Sequence, residues 1–94
     1  AKGGLHNLTR ELAVQWARKG IRVNAIAPAW FETEMNAEAM FQTDTGRAYV
    51  ESGTPMGRSG FAHELDGALL LLASDAGSYL TGTILYVDGG WTAQ

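Results

Sequence analysis

Lys2 is the first side chain in this sequence that could do chemistry, an ammonium able to steady a neighbouring anion, set directly before Gly3-Gly4 at the head of a helical run. Taken alone, it reads as a solvated charge. Pro28 closes the run Asn24-Ala25-Ile26-Ala27-Pro28 and fixes the backbone direction where a strand must end. Asp88-Gly89-Gly90 offers a carboxylate in a tight turn. A calcium loop needs several spaced oxygen ligands, so a turn requiring positive φ is the simpler reading. Glu32 and Glu34 stand two apart, share no helical face and have no histidine beside them, so they read as solvated carboxylates and no metal site is expected. His6 and His63 are far apart and lack a nucleophile in a recognisable setting, and no nucleophile elbow occurs, which speaks against a hydrolase. No Gly-x-Gly-x-x-Gly is present, so a diphosphate cradle is not in this sequence.

The elements that must position these residues follow from periodicity. Leu5, Leu8, Leu12 and Trp16 recur at spacings of three and four, which predicts a helix over 2–19 with those residues on its apolar face. Arg18 and Lys19 followed by Gly20 are a helix terminus, since cations meet the dipole and glycine takes the left-handed cap. The β-branched run 21–27 predicts a strand stopped by Pro28. Residues 29–60 keep no sustained period and predict a surface excursion with short helices near 34–41 and 46–52. Such an excursion inside a compact domain is more often a functional lid than a passive connection, and Trp30, Phe31, Met35, Met40, Phe41 and Met56 give it apolar surface to cover. Residues 61–74 predict a helix buried on two sides, and 83–87 a second strand ended by Asp88-Gly89-Gly90. Helix, strand, long loop, helix, strand is a βαβ crossover with a leading helix, so the strands are expected to be parallel. Two strands leave both edges of a parallel sheet open, which predicts that most of the sheet lies outside this chain.

Composition narrows the function classes. The 94 residues are 46% hydrophobic and 18% charged, as in a globular domain, and the net charge of −3 comes without a basic cluster, so nucleic acid is not an expected partner. The longest apolar stretch, 68–73, is far short of the roughly 20 residues that cross a bilayer, so no membrane partner is expected. Absence of cysteine excludes disulfides and thiolate metal sites and fits a reducing compartment, with the cytoplasm as the expected location.

Three patterns stand in order: Lys2-Gly3-Gly4 opening the long helix, Asn24-Ala25-Ile26-Ala27-Pro28 closing the first strand, and Val87-Asp88-Gly89-Gly90 closing the second. In this arrangement the chain resembles the carboxy-terminal part of the short-chain dehydrogenase/reductase family, in the subgroup of 3-oxoacyl-carrier-protein reductases and sugar or polyol dehydrogenases. The resemblance covers essentially the whole chain. It implies an α/β fold, the carboxy-terminal part of a Rossmann-like doubly wound parallel sheet in three α/β/α layers. Residues 1–94 would be one segment of a single domain, with a substrate lid at about 29–60 and the cofactor-binding amino-terminal half absent.

The resemblance also implies roles. Lys2 would end a Tyr-x-x-x-Lys motif whose tyrosine precedes Ala1 and acts as general acid or base at the reacting oxygen. A phenol with an ordinary pKa of about 10 needs help to ionise near neutrality, and the Lys2 ammonium would supply it while hydrogen-bonding the nicotinamide ribose. Pro28, Ala29, Phe31 and Thr33 correspond to the run that meets the nicotinamide carboxamide, with Ala29 where the family usually has glycine. Trp30, Met35, Met40 and Phe41 would give the lid an apolar pocket over the substrate. The implied function is hydride transfer between NAD or NADP and a small-molecule secondary alcohol or ketone, in a homo-oligomer, dimer or tetramer, with this chain inert alone. The rival is a noncatalytic protein of the same fold that serves oligomerisation or binding.

Overall fold

The computed structural model describes residues 2–32 and 43–94, with Lys2 described by its backbone alone. Thr33, Met35, Met40 and Phe41, and the helix expected near 34–41, lie outside the described residues. Two compact units divide the chain, 1–27 with 67–85 and 28–66 with 86–94.

In the first unit, helix α1 runs Lys2–Trp16 and tightens into a 3-10 turn at Ala17–Lys19. The expected helix reached Lys19 as a single element; its last turn instead winds tighter, as helix ends commonly do. Gly20 then takes φ +79°, and the N–H of Ile21 returns to the Trp16 carbonyl at 3.3 Å, closing the helix as its basic-then-glycine order predicts. The expected apolar stripe is only partly covered. Leu5 and Leu8 are exposed, whereas Thr9 and Ala13 are the buried positions. Gly82 lies over Ala13, where an added Cβ would stand in ordinary contact, 3.5 Å from the Ala13 Cβ. Thr9 satisfies its hydroxyl by donating to the Leu5 carbonyl at 2.8 Å.

Strands β1, Ala25–Pro28, and β4, Ile84–Val87, form a two-stranded sheet. The Ala25 N–H donates to the Thr83 carbonyl and the Ala29 N–H to the Val87 carbonyl, four residues on along both strands, which makes the pair parallel as expected. The expected strand over 21–27 starts late, because side chains take the place of ladder partners before Ala25. Val23 N–H donates to the Thr81 hydroxyl, and Asn24 donates to the Leu80 carbonyl while accepting from the Thr83 N–H. Pro28 does not stop the strand but completes it. Positions 25 and 29 face β4, so position 28 faces the opposite edge, and its missing N–H costs this ladder nothing.

Helix α3, Asp66–Ala73, leads into a 3-10 turn at Asp75–Gly77. The Arg22 guanidinium donates to the carbonyls of Ser74 and Leu80, both at 3.3 Å, pinning this turn to the first strand's approach. The expectation that this helix is buried on two sides fails, since Leu69, Leu70 and Leu71 are exposed. Covering both faces of a leucine-rich helix takes two flanking layers, and a unit of two helices and two strand segments does not provide them. The expected helical start at Phe61 is also corrected. Gly60–Phe61 is a short strand, Ala62–Leu65 a 3-10 turn, and the α-helix begins at Asp66.

In the second unit, helix α2, Asp44–Gly53, is capped by Thr43, whose hydroxyl accepts from the Gly46 N–H at 3.1 Å, and buries Val50. This is the helix expected near 46–52. The short strands β2, Phe31–Glu32, and β3, Gly60–Phe61, pair in parallel with Phe31 opposite Gly60, a pairing that the sequence pattern does not predict.

Candidate functional site

The carboxyl end of β1 is where an open parallel sheet presents its ligand crevice. Pro28 is exposed there, and Ala29 spends its N–H on the Val87 carbonyl at 3.4 Å. The Trp30 carbonyl accepts from the Gly60 N–H at 2.8 Å. Alternation along the β2–β3 ladder then turns the N–H and C=O of Phe31 to the side away from β3. The ring of Phe31 lies so close over Gly60 that a Cβ at position 60 would meet its Cε1 at 2.5 Å. A side chain at 60 would have to displace the ring of Phe31.

A cleft of about 140 Å³ opens beside this run, walled by Trp30, Phe31, Thr54, Met56, Asp88 and Gly89 among others. The Thr54 hydroxyl is buried without a hydrogen-bond partner. Asp88 caps the turn after β4: its two carboxylate oxygens accept from the N–H groups of Gly90 and Thr92, each at 3.0 Å. Hydrogen bonds from Thr92, side chain first, hold the Asp88 carboxyl below its ordinary value. Gly89 and Gly90 take φ +61° and +95°, the turn geometry read from the sequence.

Opposite them, Arg58 grips Glu64 with both guanidinium nitrogens at 2.8 and 3.0 Å, and the Phe61 N–H donates to the same carboxylate at 2.9 Å. The Arg58 hydrogen bonds, and then the Phe61 N–H, lower Glu64 to about 2. The Arg58 guanidinium also sits 5.6 Å from the centre of the Phe61 ring. This cluster braces the loop behind β3.

A model of the family described as Enoyl-(Acyl carrier protein) reductase matches residues 1–92. The chain belongs to this short-chain dehydrogenase/reductase family. Among curated relatives of the family, galactitol 2-dehydrogenase (L-tagatose-forming) of Cereibacter sphaeroides is 48% identical over 92 residues, covering 98% of this chain and 36% of the relative. The 3beta-hydroxysteroid dehydrogenase 1 of Eggerthella lenta is also 48% identical, over 98% of this chain and 35% of its own length. The crystal structure of a gluconate 5-dehydrogenase from Burkholderia cenocepacia in complex with NADP and tartrate superposes with a TM-score of 0.89 at 41% identity, covering 99% of this chain and 36% of that one. The expected α/β class holds, in the Rossmann fold of the family's solved structures. The chain spans about a third of the length of the curated relatives it matches.

Within this short-chain dehydrogenase/reductase segment, the residues singled out in the sequence are distributed unevenly. Pro28, Ala29, Trp30 and Phe31 follow one another at the end of β1, and Trp30 and Phe31 wall the cleft. Lys2 heads α1 in the other unit, and Thr33, Met35, Met40 and Phe41 lie outside the described residues. The structure adds Tyr49, Thr54, Arg58, Glu64 and Trp91, which no local pattern announces. Tyr49 and Trp91 join Trp30 in a cluster of three rings, with centroids 5.8 to 6.0 Å apart. The one available signal was the pairing of an arginine with a glutamate six residues on, across the glycine-marked turn at Gly57, where φ is +75°.

Proposed function

We propose that the full-length protein carrying this chain is a NAD(P)-dependent oxidoreductase that moves a hydride between a nicotinamide cofactor and a secondary alcohol or ketone. The observation that carries the reading is the exit of β1: an exposed Pro28 and a small Ala29 at the carboxyl end of a parallel strand, in a chain of this family. The low side-chain bulk there suits the flat carboxamide end of a nicotinamide. When bound, the cofactor supplies the hydride acceptor or donor.

In this reading Lys2 holds its ammonium beside a tyrosine outside this chain, favouring the phenolate that takes or returns the proton at the substrate oxygen, and also meets the nicotinamide ribose. Pro28, Ala29, Phe31 and Thr33 orient the ring. Trp30, with Met35, Met40 and Phe41, covers the substrate from a lid at about 29–60 and excludes water. Residues 1–94 form the carboxy-terminal segment of one Rossmann-like domain whose diphosphate cradle lies in the remaining length that the relatives have. The protein works as a homo-oligomer in the cytoplasm. Among the described residues no helix is long and apolar enough to cross a membrane.

Relatives of this chain are named for a sugar alcohol and for a steroid, so the reading commits to the secondary alcohol or ketone and not to one carbon skeleton. Lys2→Ala in the full-length protein is expected to lower turnover about a hundredfold or more, the scale of general acid–base assistance, with nicotinamide absorbance as the measure. Unchanged turnover removes Lys2 from the mechanism.

A further inference from the structure

The three-ring cluster has a consequence for specificity. Trp30, two residues beyond Pro28, packs edge-on against Tyr49 at 5.8 Å and 86° and against Trp91 at 5.9 Å and 70°. Tyr49 and Trp91 complete the triangle at 6.0 Å. Trp30 is thus held from two sides, by α2 and by the 3-10 turn Trp91–Ala93.

That turn is itself firmly built. Both Asp88 oxygens cap it, the Trp91 N–H returns to the Asp88 carbonyl at 3.1 Å, and the Gln94 amide donates to the Gly53 carbonyl at 2.7 Å. The six-membered ring of Trp91 fills the place a side chain at Gly53 would occupy, 2.6 Å from where its Cβ would stand. A ring locked against the end of α2 by its own backbone and by a glycine vacancy has little freedom of its own. It serves as a fixed surface against which Trp30 is placed.

Resting on the oxidoreductase reading above, we infer that Trp91 is a positioning residue for substrate, setting through Trp30 the wall that faces the secondary alcohol or ketone, with Tyr49 as its second support. The role is specific to binding geometry: Trp91 acts through Trp30 and performs no proton or hydride step.

In the full-length protein, Trp91→Ala raises KM for the alcohol or ketone about tenfold while kcat falls by less, since Trp30 loses one of its two edge-to-face partners. Trp91→Phe keeps a ring over Gly53 and returns KM to within about threefold of the starting value. Tyr49→Ala changes a largely exposed side chain and raises KM in the same direction, which answers the question if Trp91→Ala does not fold. Two indoles at this separation also give an exciton couplet in far-ultraviolet circular dichroism, present in the wild type and lost in both Trp30→Phe and Trp91→Phe. An active wild type whose KM is unmoved by Trp91→Ala and Tyr49→Ala overturns the positioning role and leaves the oxidoreductase reading standing. So does a fall in kcat and thermal midpoint with KM unchanged, which is the mark of a merely structural ring. A wild type that transfers no hydride with any alcohol or ketone overturns the oxidoreductase reading, and the role of Trp91 falls with it.

Discussion

At Glu64 three N–H donors, two from Arg58 and one from the Phe61 backbone, converge on one carboxylate and hold it at about 2 against an ordinary 4.5. A carboxyl whose pKa is depressed by folding stabilises the fold above its unfolded value and stops doing so as pH falls through its folded one. The Arg58–Glu64 contribution is therefore complete above about 4.5 and disappears between there and about 2. Glu64→Gln should flatten the pH dependence of the urea midpoint in that window and leave the slope at neutral pH unchanged; an unaltered profile between these values would remove the pair from acid stability. Single residues were readable from the sequence where the backbone demanded one residue type. Gly20, Gly89 and Gly90 were assigned to turns because positive φ leaves few alternatives, and they adopt it. Tyr49 and Trp91 were not readable, because each acquires its meaning from Trp30, brought alongside by three separate segments. The role given to Lys2 came from its company in a family motif and from no property of the residue itself.

Helices and strands were legible by type and less so by boundary, and each discrepancy has a local cause. Side-chain substitutes for ladder bonds at Asn24 and Thr81 delay β1 to Ala25. A carboxylate accepting from the Phe61 N–H makes a cap where an apolar helical pattern pointed to continuous helix. The β2–β3 pair is two residues on each side, too short to carry a period. At this scale the turn after α3 gives the sharpest test. A Cβ on Gly77 would stand 2.1 Å from the Leu71 carbonyl oxygen and 3.5 Å from the Arg22 guanidinium that clasps the same turn. Gly77→Ala forces the backbone of α3 to shift and should cost about 1–3 kcal/mol, read as a lower urea midpoint with the m-value retained. A midpoint equal to that of the unchanged protein would mean that this close approach is not rigid.

Taken as a whole, the 94-residue chain carries more apolar surface than its two units cover. Leu5 and Leu8 on α1 and Leu69, Leu70 and Leu71 on α3 are all exposed, and Tyr79 is fully so. Expressed as these 94 residues alone, the chain should bind a hydrophobic dye such as anilinonaphthalene sulfonate strongly, whereas the full-length protein should bind little. Equal and weak dye binding by both would show that these faces find cover within the chain. At this scale the sequence carries an expectation, that two parallel strands need further sheet or helices to cover their faces and edges. An apolar pattern calls for a covered face without saying what covers it, and here those leucines of α1 and α3 are exposed. Pro28 closes the matter at the level of the sheet. Its absent N–H belongs to the edge of β1 turned away from β4, so any strand laid along that edge finds a donor at alternate positions and then none. A ladder built on that edge would lose its rung at Pro28, while the β1–β4 ladder runs past it unbroken to Ala29.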